Sequence, residues 1–279
     1  MPEVLLPASP VVPGAGPVRI HLRDQGSGPP VVLLHGGWGE RAYPFDTVAA
    51  ALASRHRVLV PDRAGYGRSS PVEALPAGFH RAMAGETLAL LDALGLPRAA
   101  LWGHSDGAVV AAWAALLAPE RVTGLVLEAV HVLRAKVGSV RFFEDGVEAP
   151  ERYGAVAVAA MESDHGPAWR HICARGARAW LGIIEEGRRA GGDLYDGRLG
   201  ALRCPVLAIH GARDPRTEPG ELDALRAAVP HARLELLDTG HAPHASARVG
   251  ARCTALAAEF LDGLPAAPPG RSARPAPTG

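Results

Sequence analysis

The feature that most constrains this chain is a rhythm. Short apolar runs at residues 31–35, 58–62, 99–103, 122–127, 205–211 and 233–238 are separated by stretches with helical spacing. Runs such as Val31-Val32-Leu33-Leu34 show no polar alternation, which is the pattern of strands covered on both faces. Residues 18–22 do alternate and read as an edge strand. Helices are expected over 80–95, where Met83, Leu90, Leu91 and Leu94 recur before Gly95-Leu96-Pro97 stops the helix. Others are expected over 106–118, ending at Pro119, and over 219–229 and 246–263. Strand–helix alternation predicts right-handed crossovers, so the fold class is α/β: a mostly parallel central sheet with helices on both faces.

The rhythm breaks between residues 131 and 200. Helical pieces occur there, including 169–187, but no convincing strand. This segment is expected to be an inserted helical cap over the C-terminal edge of the sheet, where open α/β sheets place their ligand crevices. The core is then 17–130 plus 201–263. Residues 1–16, rich in Pro, Ala and Gly, are expected to be a flexible N-terminal segment, and 264–279 a disordered tail.

Composition removes several function classes. The formal net charge of 279 residues is zero, so no basic excess exists to neutralise phosphates, and nucleic acid is not an expected partner. Cys173, Cys204 and Cys253 lie far apart, which suggests free thiols rather than a disulfide framework or zinc cluster. No signal-peptide pattern opens the chain, and no run approaches the roughly 18 apolar residues of a membrane span. No membrane association is expected, and a cytoplasmic location is the default. Oligomeric state is not legible. No Walker pattern, paired metal ligands or dinucleotide fingerprint appears, so neither cofactor nor metal is expected.

The chemistry concentrates in Gly103-His104-Ser105-Asp106-Gly107, which follows one strand and opens a helix. Such a turn is tight and strained, and it lifts the serine above the sheet edge as a nucleophile. A serine hydroxyl needs a base to take its proton. His241, in the loop after the last strand, is the expected base, with His244 the nearest rival. Asp214, just past a strand end, is the expected partner that orients the imidazole, with Glu128 the alternative. The oxyanion donors are expected to be the backbone N–H groups of Asp106 and Gly37, with Trp38 N–H next, in the loop His35-Gly36-Gly37-Trp38-Gly39. Trp38 is a candidate substrate contact, and Trp169, Trp180 and Tyr153 are further candidates for pocket walls or packing. The turn from Asp62 to Ser69 reads as architectural.

Together, His35-Gly36-Gly37, Asp62 to Ser69, Gly103 to Gly107, and Gly211 to Pro215 with Gly240-His241 resemble the α/β-hydrolase superfamily over about residues 17–263. The resemblance implies a serine hydrolase with Ser105, Asp214 and His241 as its triad, acting on a small-molecule ester. A narrower likeness, carried by Ser105-Asp106-Gly107, residues 173–184 and 204–211, is to the biphenyl hydrolase-like (valacyclovir hydrolase-like) group. That group hydrolyses α-amino acid esters, and the likeness implies that Asp106 binds the substrate ammonium. The bare residue supports another role, an acid at a helix N-terminus. The same triad also serves C–C bond, lactone or amide hydrolysis and cofactor-free perhydrolysis. A non-enzymatic ligand receptor on the same scaffold would be expected to lack a triad member.

Overall fold

A computed structural model describes residues 3–265. Eight strands form one sheet: β1 (Glu3–Leu6), β2 (Val18–Gln25), β3 (Pro30–Leu34), β4 (Arg57–Pro61), β5 (Ala99–His104), β6 (Val122–Glu128), β7 (Val206–Gly211) and β8 (Arg233–Leu237). Their spatial order is β1-β2-β4-β3-β5-β6-β7-β8. β1 and β2 run antiparallel to their neighbours, and β4 to β8 pair in parallel. Eight α-helices accompany the sheet: α1 (Asp46–Leu52), α2 (Phe79–Ala93), α3 (Asp106–Leu117), α4 (Val140–Glu148), α5 (Ala155–His165), α6 (Trp169–Ala190), α7 (Glu221–Ala228) and α8 (Gly250–Asp262).

The apolar runs sort by parity. Val32, Leu34, Leu101, Leu125 and Leu127 face one core, with α2, α3 and α7. Val31, Leu33, Trp102, Val126 and Ile209 face the other, with α1 and α8. Successive strand residues point to opposite faces, so a strand with helices on both sides must be apolar throughout. That explains why all six residues of β5 are buried.

Two expectations are corrected at the N-terminus. Residues 1–16 were expected to be flexible, yet β1 pairs with β2 from Glu3↔His21 to Leu6↔Val18, and Leu6 and Val11 are buried. Ser9 also donates to the buried Glu86 carboxylate. Strand β2 is therefore not the edge; β1 is. Four residues cannot hold a strand by propensity, but a ready-made ladder on β2 and a hole for Leu6 supply the order. Helix α1, not anticipated, fills the β3–β4 crossover. At the other end, Leu264 is half-buried against Gly124, and the rest of the tail expected to be disordered lies outside the described residues.

Helices α4 to α6 lie between β6 and β7 in the chain. Their attachment is polar and buried. The Glu221 carboxylate accepts from Val132 N–H (2.8 Å), Leu133 N–H (3.2 Å) and Lys136 Nζ (2.6 Å), which ties the exit of β6 to the start of α7. Arg175 of α6 donates to the carbonyls of Val72 (2.5 Å) and Gly65 (2.9 Å), so α6 is clamped to the turn after β4. Among the described residues, no helix is long and apolar enough to cross a membrane.

Candidate active site

Ser105 sits between β5 and α3 with φ 54° and ψ −119°, a conformation that side chains rarely adopt. The turn is possible because its flanks are glycines. A Cβ on Gly103 would lie 2.1 Å from the Gly107 carbonyl oxygen, and one on Gly107 would lie 2.0 Å from that of Leu34. The strain is held by burial and by Ser105 N–H donating to Glu128 O at 2.9 Å.

Three expected residues meet in one row. Ser105 Oγ donates to His241 Nε2 (2.9 Å), and His241 Nδ1–H donates to Asp214 Oδ2 (2.9 Å). Burial by itself would raise the Asp214 carboxyl. The hydrogen bond and charge of His241, with Arg216 N–H, outweigh that and hold it down to about 2. Asp214 is thus an anion at neutral pH, which fixes the proton of His241 on Nδ1 and leaves Nε2 to accept.

The two runners-up are placed elsewhere. Glu128 accepts from His244 Nδ1 (2.7 Å), His244 N–H (2.8 Å) and Trp102 Nε1 (2.9 Å). His244 also approaches the Tyr43 carbonyl at 3.1 Å. The rival base and the rival acid therefore pair with each other, beneath the loop that carries His241.

Ser105 opens on a pocket of about 270 Å³. Gly37 and Trp38 line it from the β3 side, and Phe142, Tyr153 and Trp180 from the helical segment. Asp106 N–H, first in α3, has no acceptor within its helix, and Gly37 lies across from it. Arg63 braces this loop by donating to the carbonyls of His35 (2.9 Å) and Gly36 (2.8 Å). The turn from Asp62 to Ser69, read as architectural, thus supports the glycine loop. Trp38 stacks among Tyr43, Phe142 and Tyr153. Trp169 does not line the pocket; it packs with Met161 and Cys173.

Asp106 is 3 % exposed. Its Oδ1 accepts from Trp180 Nε1 (2.9 Å) and faces His80 Nε2 (3.3 Å), while Oδ2 lies beside Gly37 and takes no hydrogen bond from any described residue. Burial pushes this carboxyl up, but His80, Arg63 and Trp180 together pull it below its ordinary range. A negative charge therefore stands beside the nucleophile.

His131, which follows β6, escaped the sequence reading. Its Nε2 lies 3.4 Å from Ser105 Oγ, and its ring stacks on His241 at 5.8 Å. Burial, with the nearby charge of Lys136, drives it well below its ordinary value, so the ring is neutral. The one proton of Ser105 is committed to His241. The His131 contact is attractive only if Nε2 carries a hydrogen, which matches the buried, unpartnered Nδ1. The available signal was a histidine at the C-terminal end of a parallel strand. Among the described residues, no group of three or more His, Cys, Asp or Glu side chains is arranged to hold a metal ion. The three cysteines are free; burial raises the Cys173 thiol in the pocket wall to about 12.

Comparison with known proteins agrees with this architecture. Residues 29–143 match the family model described as alpha/beta hydrolase fold. A putative carbamate hydrolase, RutD, of Azorhizobium caulinodans is 31% identical over 245 residues, covering 81% of this chain and 88% of that protein. Epoxide hydrolase A of Mycobacterium tuberculosis is 39% identical over 129 residues, covering 45% of this chain and 40% of that enzyme. The chain thus spans about two fifths of that relative's length. Among solved structures, a thermophilic esterase from Thermogutta terrifontis superposes with a TM-score of 0.70 at 23% identity, covering 94% of this chain and 98% of that one.

Proposed function

The chain belongs to the α/β-hydrolase fold family, and from that premise we propose that it is a serine hydrolase cleaving a carboxylic ester of a small molecule through an acyl-enzyme on Ser105. The observation that carries this reading is the unbroken row Ser105–His241–Asp214 at the mouth of a pocket. His241 Nε2 takes the Ser105 proton as Oγ attacks the acyl carbon, and Asp214 steadies the imidazolium. The N–H groups of Asp106 and Gly37 receive the oxyanion. The alcohol leaves with the proton from His241, and water repeats the sequence on the acyl-enzyme. In that second step Oγ is the departing atom, and the Nε2–H of His131 shares its growing charge. Helices α4 to α6 act as a cap that excludes bulk water. No step calls on a cofactor.

Several alternatives weaken against these residues. Epoxide opening through an alkyl-enzyme needs a carboxylate nucleophile, and position 105 is serine. A non-enzymatic receptor has no use for an aligned triad. Carbamate hydrolysis is the second reading, favoured by the relative whose length is covered to 88%; it would use the same acyl transfer with a different leaving group. The finer substrate reading is an α-amino acid ester. Asp106 supports it, because a buried anion with one free oxygen beside the nucleophile suits an ammonium group.

A fluorophosphonate probe tests the nucleophile. Mass spectrometry is expected to find the label on Ser105, and Ser105→Ala is expected to abolish ester turnover. Label elsewhere, with turnover surviving the substitution, ends the proposal. Asp106→Asn is expected to impair α-amino acid esters at least tenfold more than neutral esters of the same size, an amount typical of a charge-assisted hydrogen bond. Equal impairment removes the ammonium role.

A further inference from the structure

Among the described residues, the three fully buried Arg and Lys side chains have oxygen partners. Arg63 is held by two carbonyls of the glycine loop, Arg175 by two carbonyls of the turn after β4, and Lys136 by Glu221. Two half-buried arginines, Arg98 and Arg216, have a buried nitrogen without a partner, and of these two only Arg216 lines the Ser105 pocket. Its backbone N–H serves Asp214 Oδ1 at 2.8 Å, but its guanidinium forms no hydrogen bond or ion pair with any described residue. The Nη1 atom is buried without a partner. The group lies over the Phe142 ring, 4.1 Å from its centroid, in the wall of the Ser105 pocket.

An unpaired, half-buried cation is costly, because a ring face returns only part of the lost hydration. Burial accordingly pulls this guanidinium below its ordinary range, while Asp214 and nearby groups act the other way. Packing alone would place an apolar side chain here. The neighbouring Asp214 takes its side-chain hydrogen bond from His241 and not from this guanidinium. What is missing is an anion, and the pocket that Arg216 lines offers space for one.

We propose that Arg216 is an anion subsite of the Ser105 pocket and that the physiological substrate is an ester carrying a carboxylate. This rests on the ester-hydrolase reading above. A carboxylate is the anion that fits: it is planar, it carries a single charge, and it matches the parallel N–H bonds of a guanidinium. No other Arg or Lys lines the pocket among the described residues, so a phosphate dianion would keep an unbalanced charge among aromatic rings. Asp106 does not pair with Arg216. It is bonded to Trp180 instead. The pocket therefore offers one anion and one cation at separate places, a pattern that also suits an ester bearing both charges.

Two matched pairs of esters test the subsite. One pair places the charge on the acyl side: p-nitrophenyl hemisuccinate against p-nitrophenyl isocaproate. The other places it on the alcohol side: p-carboxyphenyl butyrate against p-nitrophenyl butyrate. In at least one pair, Arg216→Gln is expected to lower kcat/KM for the charged ester about tenfold more than for its neutral partner, mostly through KM. Arg216→Lys is expected to recover part of the loss. Equal losses within both pairs overturn the subsite. Binding is read separately by titrating each charged ester into Ser105→Ala protein, with and without Arg216→Gln. Weaker binding in the double variant supports the subsite even if the wild type cleaves none of these esters, an outcome that would count against the hydrolase reading alone. Tighter binding of phenyl phosphate than of benzoate to Ser105→Ala protein would overturn the assignment to a carboxylate.

Discussion

His241 and His244 are three residues apart, and each holds a carboxylate on Nδ1, yet only His241 reaches a hydroxyl. The His241 side chain is 16 % exposed at the pocket, while both His244 and Glu128 are fully enclosed. One pair is open at one end, where a substrate proton can be exchanged. The other is saturated: Glu128 has three donors, and His244 uses its second nitrogen against the Tyr43 carbonyl. The same two functional groups thus serve acid–base chemistry in one place and cohesion in the other. What separates them is whether any hydrogen-bonding capacity is left over.

The comparison breaks most sharply at the open pair. His241→Ala is expected to lower kcat roughly ten-thousand- to million-fold, because nucleophile and base act as one unit. Its thermal midpoint should stay near that of the wild type, because the removed ring borders a pocket. Steady-state kinetics and a melting curve on the same preparation check both halves. A large stability loss with modest kinetic loss would mean the roles of the two pairs had been exchanged.

The sealed pair should behave in the opposite way. Glu128→Ala strands the His244 ring, its N–H and the Trp102 indole N–H in a dry interior. It is expected to cost about 3–5 kcal/mol, the range for breaking a buried ion pair from one side. Urea unfolding measures this. Glu128→Gln, which keeps an acceptor, should cost less. The loss of activity in folded protein should be small beside that of His241→Ala, since the Glu128 side chain reaches the site through the loop that His244 anchors and that His104 contacts at the His241 carbonyl, and its backbone carbonyl, which holds Ser105 N–H, remains.

Much of this contrast was legible in the chain, and its limits are physical. Ser105, Asp214 and His241 were readable because each follows a strand end, and a parallel sheet brings strand ends to one edge. The choice between His241 and His244 depended on the path of a single loop. That Glu128 would claim His244 depended on both being enclosed together. Strand β1 was missed because its order comes from pairing with β2. His131 and Arg216 were missed for a subtler reason. Arg216 matters for a partner it lacks, a property of the space around a side chain with no trace in local sequence, whereas His131 left one faint signal, a histidine just past a parallel strand.

His131 sharpens the comparison on a smaller scale, as a third histidine that shares the nucleophile with the open pair. His131→Ala removes one neutral hydrogen bond to Oγ and is expected to lower kcat about tenfold or less. His131→Asn, which can still present an N–H, should recover part of it. Pre-steady-state kinetics with an activated ester should locate the defect mainly in deacylation, where Oγ departs. A defect confined to acylation would show that the contact tunes attack instead.

The smallest effect is a pH dependence that belongs to the sealed pair. Burial lowers the His244 pKa, but the charge and hydrogen bond of Glu128 overcome that, so it stands above its ordinary 6.5. Stability from a raised pKa is fully present below 6.5 and is lost as pH rises through the folded-state value. On the acid side no such distinction exists. Asp214 and Glu128 are both held down to about 2, from ordinary values of 3.8 and 4.5, so both pairs lose stability together as pH falls through that range. The alkaline limb is therefore the diagnostic one. Unfolding free energy measured in urea above pH 6.5 should decline for the wild type more steeply than for His244→Gln, whose neutral side chain has no proton to lose. Parallel declines would mean that the enclosed histidine is neutral throughout and that Glu128 is held by hydrogen bonds alone.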